Sequence, residues 1–115
     1  MQPEDKTYQY IHYACTTFYS HKWQLSIILD LCSGPKRFGE MLRLHEGLSR
    51  KMLSYNLHKL EDKGVIIRSP YKEGEIQMVE YSLSQQGREL QKILEELSAW
   101  GGKYYQNYRN KNEDE

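Results

Sequence analysis

Between Ser49 and Lys63 the chain collects hydrogen-bonding and cationic side chains of types that suit base edges and phosphates: Ser49, Arg50, Lys51, Ser54, Tyr55, His58 and Lys59. Leu53, Leu57 and Leu60 in the same stretch recur at +4 and +3, the period of a helix with one buried stripe. At about 100° per residue, Lys51, Ser54, Tyr55, His58 and Asp62 then point away from that stripe. Such a face offers donors and acceptors to base edges. Arg50 and Lys59, with Arg37, Arg68 and Lys72 outside the helix, suit phosphate oxygens. Ser49 is placed to cap the helix, whose positive N-terminus itself attracts phosphate. Two of these residues keep a second reading. Arg37 either braces the fold against a carboxylate or touches phosphate, and Tyr55 either packs on a neighbour or reads bases.

Other chemistry is thinly supplied. Cys15 and Cys32 are the only cysteines, with no CxxC and no His at zinc-finger spacing, so neither a disulfide scaffold nor a structural metal is expected. Both read as small buried hydrophobes. His12, His21, His45 and His58 are scattered and assemble no catalytic cluster. The chain is therefore expected to be no enzyme and to need no cofactor.

The elements that would position the polar face follow from periodicity. Tyr8, Tyr10, Tyr13 and Tyr19, with Ile11, Ala14, Cys15 and Phe18 at three-to-four spacing, predict an amphipathic first helix over Thr7 to Tyr19. Its tyrosines suit a core or an interface, although an aromatic pocket also binds flat or cationic molecules, which leaves a small-molecule effector open. Trp23, Ile27, Ile28 and Leu31 predict a core helix that stops at Gly34-Pro35. Phe38, Met41 and Leu42 mark a short helix over Arg37 to Leu44, which Gly47 breaks. The polar-faced helix follows, with Gly64 as its left-handed C′ residue. Val65-Ile66-Ile67-Arg68 and Val79-Glu80-Tyr81-Ser82-Leu83 are strand-like, with Lys72-Glu73-Gly74-Glu75 as the turn between them. Ser84 caps a last helix whose stripe Leu90, Ile93, Leu94, Leu97 and Trp100 is too long for one small chain to cover. Gly101-Gly102 is expected to interrupt that helix before Tyr104, Tyr105 and Tyr108.

This order implies an α+β fold, mainly α: a winged helix-turn-helix with additional N- and C-terminal dimerisation helices. A flexible terminus is expected over 1–6, the folded unit over 7–106 and a disordered tail over 107–115. The dimer contacts would fall to Tyr8, Ile11, Phe18, Leu90, Leu94, Leu97, Trp100 and Tyr104. At 115 residues, 38% hydrophobic and 28% charged, the chain fits one soluble domain. No run approaches the roughly 18 apolar residues of a membrane span, and Met-Gln-Pro-Glu-Asp-Lys lacks the order of a signal peptide, so the cytoplasm is expected. Net charge is zero, but Lys36 to Glu73 carries nine basic against five acidic residues, +4, leaving −4 for the remainder. A basic segment between acidic ends suggests a basic face for double-stranded DNA, and the uncovered stripe of the last helix with the aromatic face of the first suggests a second copy of the chain as partner. The competing reading is a winged helix used for protein interaction without DNA, which the pI of about 6.9 favours.

With those residues in view, the sequence resembles the HxlR-type family of MarR-like winged-helix regulators. The resemblance is carried by Lys22-Trp23, Gly34-Pro35-Lys36-Arg37-Phe38-Gly39-Glu40-Met41, Gly47-Leu48-Ser49-Arg50-Lys51-Met52-Leu53-Ser54, Leu57 to Ile66, Val79 to Ser84, Gly87-Arg88-Glu89-Leu90 and Trp100-Gly101. It implies a bacterial homodimer joined through the first and last helices, with two recognition helices on a pseudo-palindromic site. Three departures stand out. The Cys-Pro that many members carry about fourteen residues before the Trp falls near Gln9-Tyr10, so redox sensing by that route is not expected. The wing tip reads Glu73-Gly74-Glu75-Ile76-Gln77, acidic and without the prolines of many members. Ser20-His21 replaces the family's Gly-Gly before Lys-Trp.

Overall fold

The computed structural model describes residues 1–19 and 22–113, the side chains of Phe18, Tyr19 and Glu113 excepted. Helix α1 (Lys6–Ala14) runs into a π-helical turn, Cys15–Tyr19, and is followed by α2 (Lys22–Cys32), β1 (Lys36–Arg37), α3 (Phe38–Leu44) and α4 (Arg50–Asp62). Strands β2 (Ile66–Glu73) and β3 (Ile76–Leu83) lead to α5 (Gln85–Glu113). The substitution of Ser20-His21 noted above lies outside the described residues.

Apolar stripes converge on one core. Ile27, Ile28 and Leu31 of α2, Met41 of α3, Leu48 of the turn, Leu53, Leu57 and Leu60 of α4, Val65, Ile66 and Leu83 near the strands, and Leu94 of α5 are all buried. Trp23, Phe38, Tyr81 and Leu90 pack against them. Burying a side chain of this size contributes about 1.5–3 kcal/mol, so α2 and α4 supply much of what holds the fold.

Local chemistry sets the boundaries. Ser49 Oγ accepts the Met52 N–H at 3.1 Å, and Ser84 Oγ accepts the Gly87 N–H at 3.1 Å, so both expected caps form. The α4 helix ends at Asp62 with Lys63 as its C-cap, and Gly64 follows at φ +78°. Glu40 Oε1 accepts the Arg37 N–H at 3.1 Å, which starts α3 directly from β1.

Three local features differ from the sequence reading. Lys36–Arg37 forms a third strand, and the antiparallel sheet has the order β1-β3-β2. Two residues are too short for an alternating pattern to reveal. The hairpin is longer and tighter than expected: Lys72 and Glu73 pair with Gln77 and Ile76, leaving Gly74-Glu75 as the turn. Gly74 has φ +65° and no described non-glycine residue has positive φ, the type II′ pattern with glycine at the first central position. Helix α5 runs unbroken through Gly101-Gly102 and past Asn107 to Glu113. An exposed helical glycine costs only about 1 kcal/mol. Trp100, Tyr104 and Tyr108 stack along one face of that helix at 5.4 and 6.3 Å between centroids, which offsets part of that cost. Within the segment 1–6, Gln2 and Asp5 close a hydrogen-bonded turn ahead of α1.

The two terminal helices leave the core. No residue of α1 is buried, and Leu97, Trp100, Tyr104, Tyr105 and Tyr108 of α5 are exposed. The radius of gyration, 17.4 Å, exceeds the roughly 13 Å of a compact chain of this length, because these helices extend the long axis to 59 Å.

Candidate nucleic-acid interface

Helix α4 presents the expected two faces. Leu53, Leu57 and Leu60 are at most 2% exposed, whereas Lys51, Ser54, Tyr55, His58 and Lys59 all face solvent. Tyr55, at 56% exposure, does not pack into the fold; Lys59 Nζ lies 5.5 Å from its ring centroid, so cation and ring form one surface. His58 Nε2 is 3.6 Å from Asp62 Oδ2 one turn along, an exposed pair too weak to hold the imidazole back from another partner. Arg50 stacks over the Phe38 ring at 5.8 Å, which holds its guanidinium between α3 and α4. Ser49 uses an oxygen lone pair for the cap and keeps its hydroxyl proton to donate.

The wing divides the remaining phosphate candidates. Arg68 and Lys72 are exposed, and strand alternation places them on the sheet face that carries Ile66 and Leu83. Arg37 pairs with Glu80, which pairs with Ser69, so it shares the opposite face with Tyr71 and Glu73. Its NH2 group lies 3.1 Å from Glu73 Oε2, and its guanidinium carbon 5.9 Å from the Tyr71 ring centroid. Of the two readings open for Arg37, the brace against a carboxylate is the one made in this structure. Arg37 therefore does not join Arg68 and Lys72 in one cluster.

Three features escaped sequence reasoning. Lys22 stands over the Trp23 ring at 4.8 Å and, with Lys59 and Lys63, lines a groove of about 410 Å³ between α2 and α4. His45 Nε2 and Asp30 Oδ2 are 2.5 Å apart, both largely buried, with Trp23 edge-on to the imidazole at 5.7 Å. That pair fastens the turn between α3 and α4 onto α2. Lys63 Nζ donates to the Thr17 carbonyl oxygen at 2.9 Å and to Gln24 Oε1 at 2.5 Å, and burial followed by the charge of Lys59 lowers its pKa. The groove between α2 and α4, the His45–Asp30 pair and the Lys63 bonds have no periodic signature, since each joins residues far apart in sequence.

The residues assigned to a dimer fall into two sets. Leu94, 8% exposed, is part of the chain's own core and Leu90 packs against it, so neither offers much surface to a partner. Tyr8, Ile11, Leu97, Trp100 and Tyr104 are 39–63% exposed. The Phe18 side chain lies outside the described residues. Among the described residues no cluster of His, Cys, Asp and Glu could hold a metal, and no helix is long and apolar enough to cross a membrane.

Known proteins share this arrangement. Residues 18–109 match the model of the HxlR-like helix-turn-helix family. The uncharacterized HTH-type transcriptional regulator YtcD of Bacillus subtilis is 42% identical over 83 residues, 72% of this chain and 65% of that protein, so the chain spans just under two thirds of this relative. The crystal structure of a MarR-family regulator from Enterococcus faecalis V583 superposes with a TM-score of 0.82 at 31% identity, covering 96% of this chain and 97% of the other. The quinone-bound structure of YodB from Bacillus subtilis superposes at 0.68 with 29% identity, over 83% of this chain and 98% of that one. The capped α4, the II′-turned wing and these matches together make the chain a member of the HxlR-like helix-turn-helix family.

Proposed function

We propose that the chain binds duplex DNA as a homodimer and regulates transcription from a pseudo-palindromic site. The observation that carries this reading is the polar face of α4, where Lys51, Ser54, Tyr55 and His58 stand exposed on a helix anchored from behind by buried leucines. Such a helix enters the major groove by its N-terminal half, and the wing meets the adjacent backbone. Lys22 adds a cation beside Lys59 for the flanking phosphates. Self-association is supported by α1, which buries nothing, and by the aromatic outer half of α5. Two α4 helices would then sit about 34–36 Å apart, one turn of DNA.

A salt titration tests this reading. Fragments selected from genomic DNA and random duplexes should both bind with affinity that falls steeply as salt rises, the selected fragments more tightly. Absence of duplex binding at any salt would leave the protein-interaction reading standing instead.

A further inference from the structure

Arg37 sits beside the wing with a carboxylate of the wing itself as its partner. Its bond to Glu73 spans 36 positions of sequence and ties the start of α3 to the last residue of β2, beside the Gly74-Glu75 turn. Side-chain exposures of 42% and 64% mean that water screens the pair on both sides. An exposed pair of this kind is weak. On the DNA-binding reading, Arg37 directly precedes Phe38, whose ring carries the phosphate candidate Arg50, so a duplex along α4 would bring phosphates toward the same guanidinium at the start of α3, and a phosphate binds arginine through the same paired N–H geometry as a carboxylate. Glu73 and phosphate are thus rivals for one site.

We propose that Glu73 competes with the DNA backbone for Arg37, so that the wing carries its own brake on non-specific binding. In the free protein the guanidinium is neutralised by Glu73. On the duplex a phosphate displaces that carboxylate, and the displaced Glu73 then stands unpaired near a polyanion. Both effects lower affinity for any sequence without touching the base-reading face. Discrimination between sites therefore falls more heavily on α4. This inference rests on the DNA-binding reading.

The test is a double-mutant cycle on Glu73→Gln and Arg37→Gln, read as affinity for a random duplex over a salt series. Both side chains are partly exposed, and thermal melts of each variant check that the fold is kept; Arg37→Lys provides a second probe that retains the charge. Glu73→Gln alone should tighten random binding about three- to tenfold and steepen the salt slope by about one, because no displaced carboxylate is left to take up a cation as the complex forms. In the Arg37→Gln background the same change should tighten binding much less, and in the Arg37→Lys background the tightening should persist. Equal tightening with and without Arg37, or no tightening at all, overturns the proposal while leaving DNA binding intact. A wild type that binds no duplex at any salt overturns both.

Discussion

Lys63, at the end of α4, donates from Nζ to the carbonyl oxygen of Thr17 in the π-helical turn at 2.9 Å. Through this bond and its partner to Gln24, α4 is fastened to the start of α2 and to the segment that leads from α1. Lys63→Met keeps the aliphatic stem and removes the donor, and it should cost about 1–3 kcal/mol, the worth of hydrogen bonds to a charged group. The pH dependence has a definite sign. Burial and Lys59 lower the folded pKa, so between that value and the ordinary 10.5 the unfolded chain holds a proton that the folded chain has released. Stability from this group therefore rises with pH across that window. Chemical denaturation followed upward in pH toward 10.5 should show the rise in wild type and a flatter profile in Lys63→Met; parallel profiles would contradict it.

Gly87 allows α5 to start against Val65, just before β2, and Leu83 at the end of β3. A Cβ there would lie 2.2 Å from the Val65 carbonyl oxygen, which already accepts the Ser84 N–H at 3.0 Å. Alanine gains about 1 kcal/mol of helix propensity, but a backbone clash of this depth outweighs it. Gly87→Ala should lose about 2 kcal/mol or more, seen as a fall in Tm of about 8 °C or more. An unchanged melting temperature would mean that α5 approaches the Val65 carbonyl less closely.

Leu97, 47% exposed in the single chain, is where the proposed dimer can be tested apart from folding. Leu97→Asp should leave the monomer folded, with helical circular dichroism retained, yet abolish the dimer, since stable obligate interfaces bury about 2,000 Å² or more around such anchors. A sedimentation profile still dimeric at micromolar concentration with unchanged stability would place the interface elsewhere.

The two thiols should not control DNA binding. Cys32 is partly buried, and burial followed by Glu95 raises its pKa, which reduces its thiolate at neutral pH. Cys15 is exposed on the π-helical turn, displaced from the position near Gln9-Tyr10. Wild type and the Cys15→Ser, Cys32→Ser double variant should bind duplex alike before and after oxidant. Release of wild type by oxidant, absent in the double variant, would make one of these thiols a sensor.

The sequence announces what is periodic or locally capped. Leu53, Leu57 and Leu60, the caps Ser49 and Ser84, and Gly64 stand where spacing alone puts them, because each depends on neighbours within one or two turns. It hides whatever is settled by tertiary contact. Leu94 belongs to the same stripe as Leu97, yet one is core and the other surface, a division fixed by where α5 leaves α2 and the sheet. Arg37 has the same charge as Arg68 and Lys72, and only the register of β1 on β3 shows that it faces the other way. The His45 and Asp30 pair joins residues 15 positions apart that no helical period relates.

The division of labour along α4 gives the sharpest prediction. Lys51, Ser54 and Tyr55 occupy the N-terminal half of the exposed face, the part of such a helix that reaches deepest into the major groove, so they should read bases. Arg50, held over Phe38 at the edge of that face, and Lys72, on the wing, should meet phosphates. Lys59 sits one turn further along with its ammonium beside Tyr55, placed for the backbone at the groove's rim. Lys51→Ala and Tyr55→Ala should each cost about 1–3 kcal/mol at the selected site and little on random duplex, because a lost base contact matters only where the base is right. Arg50→Ala and Lys72→Ala should weaken both and lower the salt slope by about one unit each, because one counterion fewer is released. All four residues are exposed, so their removal leaves the core untouched and the binding isotherms report on the interface rather than on folding. If Lys51→Ala and Tyr55→Ala leave the ratio of specific to random affinity unchanged, this face does not read sequence, and the recognition surface must be sought elsewhere on the chain.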